Sequence, residues 1–400
     1  VLLATETFAP EIGGGERQAS LLARGLLRRG HQVTLLTRRS RSDSPTEEVV
    51  DGLRILRLPP AGSGRRVRWR LQWHALPAFF RLRREYDVLL ISGYRALGIP
   101  GLLAGRWLGK PVVLKADSLG EMSGEFFRAG LGELGLTPGS AMVRALLRLR
   151  ARCLSKAAAQ VAISAEVERE LLAQGVPDER IHLIPNGVDV DQFQPAKPWQ
   201  QAELRQQLGL PPGPVLVYTG RLVSYKGLPL LLDAWREICG RRPGTLVFVG
   251  EGGGDIHNCE PSLKDFAATH QMSARVRFAG AVTRVEDWLR AADLFVFPTE
   301  NEAFGLSLVE AMACGLAAVT TRVGGMADYV VDGANAWVVE AGNRVAMITA
   351  IERLLDDGAL AARLGQAARE TVQERFGGHA IAAQYERLLT DLVVARRKAR

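Results

Sequence analysis

Two glutamates eight positions apart, Glu302 and Glu310, lie on either side of a predicted helix start in the segment ENEAFGLSLVEAMACG. Glu310 falls in a stretch that is apolar on nearly every helical face, where an unpaired carboxylate is costly to desolvate. The Phe304-Gly305 pair predicts a turn, with the helix beginning at about Gly305. Because a helix rises about 1.5 Å per residue, the two carboxylates should lie roughly 10 Å apart along its axis. This is about the distance between two hydroxyl-bearing rings joined by a pyrophosphate, so the spacing indicates a ligand of that kind.

The start of this helix also predicts where the phosphates bind, because free N–H groups and the macrodipole attract anions to a helix N-terminus. We expect the N–H groups of Gly305, Leu306 and Ser307 to bind a diphosphate. Glu302 would then accept hydrogen bonds from hydroxyls at one end of the ligand, and Glu310 from hydroxyls at the other end.

Two further segments directly follow predicted strands and have the composition of phosphate sites. GRLVSYKG brings Arg221 and Lys226 to the carboxyl end of its strand, and a guanidinium fork and an ammonium group both bind phosphate. PEIGGGERQ opens a helix predicted over residues 17–28, and Gly14 and Gly15 would let a phosphate approach the backbone.

Composition and charge narrow the class of protein. A chain of 400 residues with 47% hydrophobic content can bury a large core and suggests two or more domains. Residues 1–200 hold 29 Lys and Arg against 20 Asp and Glu, a net of +9, so the total of +8 leaves −1 for the second half. The first half is therefore expected to face an anionic partner. No run of 18 apolar residues occurs, and a membrane-spanning helix is not predicted.

The cysteines indicate a reducing compartment. All four are scattered, with no C-x-x-C pair and no histidine at ligand spacing, and we interpret them as reduced thiols in a cytoplasmic protein. No signal peptide is visible. Because the chain begins with Val inside a predicted strand, its natural start is expected upstream.

Short β-rich runs alternate with helical patterns along the whole chain, which predicts parallel sheets covered by helices. The first series of predicted strands is Val1–Ala4, Gln32–Leu36, Leu53–Leu56, Asp87–Ile91, Pro111–Lys115, Gln160–Ile163 and His182–Ile184. The second series is Val215–Tyr218, Thr245–Val249, Arg275–Phe278, Asp293–Phe297, Ala317–Thr320 and Ala336–Val339. The two series predict an α/β fold with two doubly wound, Rossmann-like domains facing across a crevice, and ligands beyond the carboxyl ends of the strands.

A segment rich in Pro and Gly separates the two series and predicts a linker with one short helix over about Gln200–Leu208. We place the domain boundary near Lys197. This gives an N-terminal domain over residues 1–197, a C-terminal domain over residues 198–379, and a final helix over residues 380–400.

The chain resembles the retaining glycosyltransferases of family 4, which have the two-domain GT-B fold, over essentially its whole length. The matching segments are GGGERQASLLARGLLRRGHQVTLLT, VAISAEVEREL, IPNGVDVDQF, YTGRLVSYKG, RVRFAG, ADLFVFPT and ENEAFGLSLVEAMACG. The last of these contains the E-x7-E motif of the family, here Glu302 to Glu310. Each segment alone is weakly specific, whereas their order and spacing together are highly specific.

This resemblance implies roles for the residues singled out above. Arg221 and Lys226 would bind the donor diphosphate and stabilise the charge that builds on the leaving group. Glu302 would bind the donor sugar and Glu310 the ribose. Attack from the same face, with the departing phosphate as the base, suits a sequence with no obvious protein nucleophile. No cofactor and no metal are expected, since the fold usually needs none and no carboxylate cluster resembles a Mg²⁺ site.

The resemblance further implies a division of labour between the domains. The backbone at Ala281 and Val282 would hold the nucleotide base, and Gly14 and Gly15 would approach the phosphates or the acceptor. The N-terminal domain would bind the acceptor, in part through residues 120–140, which match no motif. The final helix would cross back to the first domain, and the two domains would close on the donor.

Asp117 marks a departure from the family pattern. Many family members carry a histidine after the strand that corresponds to Pro111–Lys115, whereas PVVLKADSLGE has Asp117 there. Two interpretations stay open, because Asp117 could orient a sugar or acceptor hydroxyl as a catalytic residue, or could only cap the following turn.

The segment RRVRWRLQWHALPAFFRLRREYD, residues 65–87, has Trp69, Trp73, Leu76 and Phe80 at helical spacing among seven arginines. One interpretation is a helix that lies on an anionic bilayer. The other is a core-facing helix with a solvated basic face.

The function predicted is transfer of a hexosyl unit from a nucleotide diphosphate sugar, UDP rather than GDP, to a glycan or lipid-linked acceptor in surface polysaccharide or glycolipid synthesis. We expect a cytoplasmic enzyme that is peripheral to the inner face of the membrane and has no nucleic acid partner. The alternatives are a nucleotide-sugar epimerase and a non-catalytic sugar-binding relative. A dehydrogenase is disfavoured, because GGGERQ is not G-x-G-x-x-G and the second strand ends in TRRS without an acidic ribose ligand.

Overall fold

The computed structural model describes residues 1–11, 13–62, 64–125, 137 and 139–398, with only the backbone described at residues 65, 66, 68 and 69. Most of the segment 120–140, expected to contribute to acceptor recognition, lies outside the described residues. The chain divides into two compact units, Val1–Gly187 with Gly378–Arg400, and Val188–Gly377.

The first unit is built on an eight-stranded sheet. Its strands are β1 (Leu2–Thr5), β2 (Thr34–Arg38), β3 (Glu47–Val50), β4 (Leu53–Leu58), β5 (Leu89–Ser92), β6 (Val112–Lys115), β7 (Ala159–Ala162) and β8 (Ile181–Leu183), in the order β3-β4-β2-β1-β5-β6-β7-β8. All neighbours are parallel except β3 and β4. The chain runs outward from β1 to β4 and restarts on the other side at β5, so the topological switch point lies between β1 and β5.

Helices cover this sheet, and the last helix of the chain is one of them. They are α1 (Gly14–Arg28), α2 (Arg65–Arg81), α3 (Tyr94–Leu108), α4 (Ala141–Leu154), α5 (Ala165–Ala173) and the final helix Gly378–Lys398. The final helix packs on α1, and its Ile381, Tyr385 and Leu389 belong to the same buried core as Leu22 and Leu26. The apolar stripe of α1 therefore needs the last residues of the chain to be covered.

The second unit has a six-stranded parallel sheet. Its strands are β9 (Val215–Thr219), β10 (Thr245–Val249), β11 (Val276–Gly280), β12 (Leu294–Phe297), β13 (Ala317–Thr320) and β14 (Trp337–Val338), in the order β11-β10-β9-β12-β13-β14. Its helices are α6 (Pro198–Gln207), α7 (Leu228–Cys239), α8 (Glu260–Thr269), α9 (Val285–Ala291), α10 (Leu306–Ala313), α11 (Arg344–Asp356) and α12 (Gly358–Arg375). The topological switch point of this sheet lies between the central strands β9 and β12, at their carboxyl ends.

The predicted α/β fold of doubly wound sheets is confirmed, and every predicted strand is found to within two residues at each end. Strand β3 was not predicted. This edge strand pairs antiparallel with β4 through a turn at Asp51 and Gly52, whose φ angles are 51° and 80°. An Asp-Gly pair between two β-rich runs is a hairpin signal, so the sequence did contain the information.

The units divide about ten residues before the expected boundary near Lys197, between Gly187 and Val188. The side-chain amide of Gln18 donates a hydrogen bond to the Gly187 carbonyl at 2.7 Å and accepts one from its N–H at 2.9 Å, which ties Gly187 to α1. Val188 instead donates its N–H to the Phe376 carbonyl at 2.8 Å, within the second unit. The Pro- and Gly-rich segment, which starts at Pro185, therefore begins at the division itself, and nearly all of it belongs to the second unit.

Helix α2 faces the core, as the second interpretation of residues 65–87 has it, but not through the stripe singled out in the sequence, since Leu76 and Phe80 are only half-buried. The Trp69 side chain lies outside the described residues, and the bilayer interpretation stays a prediction. Leu71, Ala75 and Phe79 face the core and are fully buried, whereas Trp73 is 80% exposed. No helix within the described residues is long and apolar enough to cross a bilayer.

Candidate active site

The candidate site of the second unit lies where its two central strands end. The loop after β9 carries Arg221 and a short 3₁₀ turn, Ser224–Lys226, and the loop after β12 carries Glu302. The two loops are hydrogen-bonded to each other, since the Glu300 N–H donates to the Tyr225 carbonyl at 2.9 Å. The sheet topology thus brings together residues about eighty positions apart in sequence, as expected at a switch point.

Lys226 and Glu302 form an ion pair. The Lys226 ammonium group also donates to the Asn301 carbonyl at 3.2 Å, and the side chains of Lys226 and Glu302 are 11% and 19% exposed. Its Nζ lies 5.3 Å from the ring centroid of Tyr225 and 5.7 Å from that of Phe297. A mostly desolvated ammonium group held by one carboxylate, one carbonyl and two aromatic faces is well oriented to receive an anionic oxygen.

Arg221 has a more exposed position. Its guanidinium donates to Asp255 Oδ2 at 2.6 Å and to the Tyr225 hydroxyl at 2.7 Å, while 62% of the side chain remains exposed. Asp255 was not predicted from the sequence, because it lies in a glycine-rich loop after β10 that gives no strand or helix signal. Arg221 and Lys226 are nonetheless brought to the same end of the sheet, as predicted.

Helix α10 begins as the Phe304-Gly305 turn predicts. Gly305 has φ 88° and ψ 47°, a left-handed conformation that disfavours a side chain, and a Cβ there would lie 2.7 Å from the Tyr329 hydroxyl oxygen. The first turn of α10 also lies beside the β9 loop, because a Cβ on Gly220 would lie 3.6 Å from Ser307 Oγ. The first turn of α10, with the N–H groups that a helix start leaves without intrahelical partners, therefore lies beside the loop that carries Arg221 and Lys226.

Glu310 is on α10, one turn further in, and is only 3% exposed. Its carboxylate contributes to raising the pKa of the neighbouring Cys314 thiol, although burial of that thiol is the larger cause. Arg290 and Arg369 act on Cys314 in the opposite direction, so positive charges lie in the same region. The buried Glu310 carboxylate therefore has cationic groups of its own unit nearby, which offset part of the cost of its burial.

The remaining donor residues occupy loops and the aromatic core. Ala281 and Val282 follow β11, whose last residue, Gly280, accepts a hydrogen bond from the Gly250 N–H at 2.8 Å. The Phe304 ring is buried between Tyr329 and Phe376, with centroid distances of 5.7 and 5.4 Å. Phe304 can therefore reach a ligand only through its backbone.

In the first unit, the sequence-selected residues meet at the switch point between β1 and β5. Asp117 follows β6 and accepts hydrogen bonds from the Ser92 hydroxyl at 3.1 and 2.9 Å, and it forms an ion pair with Lys115. A Cβ on Gly15 would lie 3.9 Å from Asp117 Oδ2, so the carboxylate faces the first turn of α1, in which Gly14 is exposed.

A second carboxylate, Glu121, lies close enough to Asp117 to feel its charge and was not predicted from the sequence. It is 1% exposed, accepts hydrogen bonds from the Tyr94 N–H at 3.2 Å and the Ser118 hydroxyl at 3.1 Å, and lies 3.4 Å from Arg95. Burial, with a smaller contribution from Asp117, raises the pKa of Glu121 to about 7. The signal that could have indicated a charged cluster is Lys115, a lysine at the end of an otherwise apolar strand.

None of the described residues forms a group of three or more His, Cys, Asp or Glu placed to hold a metal ion. The four cysteines are unpaired.

Comparison with known proteins agrees with the fold. Residues 12–192 match the family described as Glycosyltransferase Family 4, and residues 200–371 match Glycosyl transferases group 1. The chain is 30% identical over 397 residues to D-inositol 3-phosphate glycosyltransferase of Xylanimonas cellulosilytica, covering 93% of this chain and 90% of the relative. It is 26% identical over 338 residues to a phosphatidylinositol N-acetylglucosaminyltransferase subunit of Arabidopsis thaliana, covering 83% and 69%.

Two solved structures share the architecture. Sucrose-phosphate synthase from Thermosynechococcus elongatus superimposes with a TM-score of 0.79 at 24% identity, covering 98% of this chain and 99% of that chain. HepE of Anabaena in complex with UDP-glucose superimposes with a TM-score of 0.76 at 20% identity and the same coverage. The fold and these matches define a glycosyltransferase of the GT-B class. Within that class, the chain belongs to glycosyltransferase family 4.

Proposed function

We propose that this chain is a retaining, metal-independent hexosyltransferase that uses a UDP-sugar donor and a glycan or lipid-linked acceptor in surface polysaccharide or glycolipid synthesis. The observation that carries the proposal is the Lys226–Glu302 pair at the switch point, with Arg221 on one side and the start of α10 on the other. This grouping combines two cations, a helix N-terminus and a hydroxyl-binding carboxylate, which are the contacts that a sugar diphosphate requires.

In the proposed complex, the diphosphate takes the place of Glu302 on the Lys226 ammonium group and binds Arg221 and the N–H groups of Leu306 and Ser307. Glu302 then accepts hydrogen bonds from donor sugar hydroxyls. Glu310 accepts them from the ribose, and its burial gives these hydrogen bonds a water-poor surrounding. The backbone at Val282 holds the base.

The proposed reaction needs no protein nucleophile. The bond between the anomeric carbon and the diphosphate oxygen breaks, and a new bond to the acceptor oxygen forms on the same face of the sugar. The acceptor hydroxyl proton passes to the departing phosphate oxygen, so UDP and the glycosylated acceptor are the products. Lys226 and Arg221 stabilise the charge on the departing diphosphate, which is worth about 10²–10³ in rate for one well-placed donor.

Two features support the choice of donor and acceptor. HepE, which shares the fold, has been solved with UDP-glucose, and this supports a UDP-sugar here. Two relatives are named for inositol 3-phosphate and for phosphatidylinositol, so both a soluble and a lipid-linked inositol acceptor belong in the acceptor screen. A lipid-linked acceptor would place the enzyme at the cytoplasmic face of a membrane, as a peripheral protein.

The test is donor binding and transfer with purified protein. A thermal-shift screen of UDP- and GDP-sugars identifies the donor that binds, since a bound donor stabilises the fold by mass action. Nucleotide release with and without each acceptor then identifies the pair that gives product. Lys226→Ala, Arg221→Ala and Glu302→Gln should each lower transfer at least a hundredfold. Arg353→Ala is the matched control, because it removes an exposed arginine of helix α11 whose ion-pair partner, Asp357, caps the following helix.

Retained transfer in the Lys226 variant would overturn the phosphate assignment. Interconversion of the donor sugar without transfer would instead indicate the epimerase alternative. Inversion of the anomeric configuration in the product would overturn the retaining mechanism.

A further inference from the structure

A surface on the first unit combines exposed tryptophans with exposed arginines. On α2, residues Arg70, Trp73, Pro77 and Phe80 recur at intervals of three and four, which places them along one face of the helix. The opposite face of α2, with Leu71, Ala75 and Phe79, is buried against the unit. The exposed apolar stripe is therefore not needed for the core.

Helix α3 continues this surface. The rings of Phe80 and Trp107 lie 5.6 Å apart at 51°, so the stripe of α2 meets α3 at Trp107. Trp107 is 67% exposed, and Leu103, one turn earlier on the same face of α3, is also exposed. We call the set Trp73, Phe80, Leu103 and Trp107, with Arg70, Arg81 and Arg106 beside it, the tryptophan-arginine surface.

The tryptophan-arginine surface is mostly basic, and acidic residues lie only at its Arg81 edge, where Arg81 lines a pocket with Arg54, Glu47 and Glu85. Residues 65–84 and 88–116 contain no Asp or Glu. Of the two acids between them, Glu85 pairs with Arg54 at the β4 side of α2, and Asp87 lies 3.6 Å from Arg397. Arg70, Arg81 and Arg106 are exposed, and no ion pair joins any of them to another residue in the described part of the chain. The three guanidinium groups therefore keep their positive charge available to an anionic partner.

We propose that the tryptophan-arginine surface docks the enzyme on an anionic bilayer. Trp side chains prefer the boundary between headgroups and acyl chains, because the ring is apolar and its N–H finds a partner in the wet zone. Arginines beside them attract anionic headgroups and keep their charge in water. A helix anchored by its buried face and exposing a second apolar stripe with basic edges lies in the interface plane rather than crossing the bilayer.

This inference deepens the proposed function, on which it rests for its purpose, because a lipid-linked acceptor would be bound in the same membrane. The binding itself needs neither donor nor acceptor. It can therefore be tested apart from catalysis, with the full chain.

The experiment is co-sedimentation with vesicles of phosphatidylcholine alone and of phosphatidylcholine with one-third phosphatidylglycerol, at 50 mM and 500 mM salt. We expect binding to the anionic vesicles that falls at least tenfold at high salt, since screening weakens the arginine contribution. Trp73→Ser with Trp107→Ser should lower the partition coefficient at least tenfold. Arg70→Gln with Arg81→Gln and Arg106→Gln should lower it as much and remove most of the salt dependence.

Trp199→Ser is the matched control, because Trp199 is 62% exposed but lies on α6 of the second unit. It should bind vesicles as the unchanged protein does. Because the substituted side chains are exposed, each variant should keep its unfolding temperature within about 2 °C, and donor binding in the thermal-shift assay should stay unchanged.

No binding at low salt, or equal binding by the Trp73/Trp107 variant, would overturn the proposal. Self-association that depends on Trp73 and Trp107, without vesicle binding, would also overturn it and would assign the surface to a second copy of the chain. Failed vesicle binding with intact transfer to a soluble acceptor would leave the proposed function standing. Vesicle binding without transfer to any acceptor would support the docking surface and overturn the proposed function.

Discussion

The carboxylate of Asp255 accepts a hydrogen bond from the guanidinium of Arg221 at 2.6 Å. A guanidinium that holds a carboxylate in this way offers the same donors that would hold a phosphate. Asp255 and the donor diphosphate should therefore compete for Arg221. The Asp255 side chain is itself held in place, because its other oxygen accepts a hydrogen bond from the His257 N–H at 3.0 Å.

Asp255→Asn should tighten donor binding. The amide keeps a hydrogen-bond acceptor but loses the charge, and an ion pair with one exposed partner is worth up to about 1 kcal/mol, or about fivefold in Kd. Calorimetric titration with the UDP-sugar at low salt measures this gain. Asp357→Asn, which neutralises the partner of the exposed Arg353 and keeps an acceptor for the Leu360 N–H that Asp357 caps, is the control and should leave Kd unchanged. Weaker donor binding in Asp255→Asn would show that Asp255 positions Arg221 instead of competing for it.

The Lys226–Glu302 pair should contribute to the stability of the second unit as well as to donor binding. Lys226→Met leaves a mostly buried carboxylate without its cation, and we expect a loss of about 2 kcal/mol. The double variant Lys226→Met with Glu302→Gln should recover most of that loss, because no uncompensated charge remains. Chemical unfolding of the two single variants and the double variant measures the coupling. Strictly additive effects would contradict the pairing.

Gly305 should not tolerate a side chain. Gly305→Ala places a Cβ 2.7 Å from the Tyr329 hydroxyl oxygen and 2.8 Å from Met326 Cγ, in a left-handed backbone conformation. We expect a loss of about 3 kcal/mol and weaker donor binding, because the first turn of α10 must shift.

Gly333→Ala separates the steric clash from the cost of the left-handed backbone conformation. Gly333 has φ 66°, and a Cβ there would meet nothing within 4 Å, so only the backbone cost of about 1 kcal/mol should appear. Unfolding midpoints of both variants measure the difference. Equal losses would contradict the steric role assigned to Tyr329 and Met326.

Glu121 should make stability depend on pH. Its pKa is raised to about 7 in the folded chain, against 4.5 as the ordinary value, so the folded state holds the proton more tightly. Its contribution is fully present below about pH 4.5 and is lost as the pH rises through about 7, by roughly 3 kcal/mol in total. Glu121→Gln mimics the protonated form and keeps an acceptor for the Tyr94 N–H.

Urea unfolding at pH 5 and pH 8 checks this dependence. The Glu121→Gln variant should be about as stable as the unchanged protein at pH 5 and more stable at pH 8. The same difference between the two proteins at both pH values would contradict a titration of Glu121 in this range.

Much of the fold could be predicted from the sequence, because its elements are consistent with their local patterns. Buried parallel strands such as β9 and β10 are continuous apolar runs bounded by Gly and Pro, and α10 starts at a glycine that no other residue could replace without strain. The boundary between the units was harder to predict, since Gly187 is held to the first unit by a long-range contact with Gln18 that no local pattern reveals. Composition alone indicates where a linker lies, but not to which of the two units each of its residues is bound.

In the candidate site, too, local sequence patterns could be interpreted, whereas long-range contacts could not. The spacing of Glu302 and Glu310 and the cations after β9 could be selected from sequence. Their partners could not. Asp255 reaches Arg221 from a loop without regular structure, and Glu121 reaches Arg95, in the first turn of α3, from the turn after β6, so only the folded chain brings them together. The roles in donor binding and catalysis remain predictions for the variants described above.

The return of the final helix to α1 has a consequence for synthesis. A ribosome releases residues 188–377 before Ile381, Tyr385 and Leu389, although these three complete the core that begins with the first strand. The portion translated first is thus finished last. While the middle of the chain emerges, the nascent α1 keeps an uncovered apolar stripe, and this interval is when the growing polypeptide would most need a chaperone.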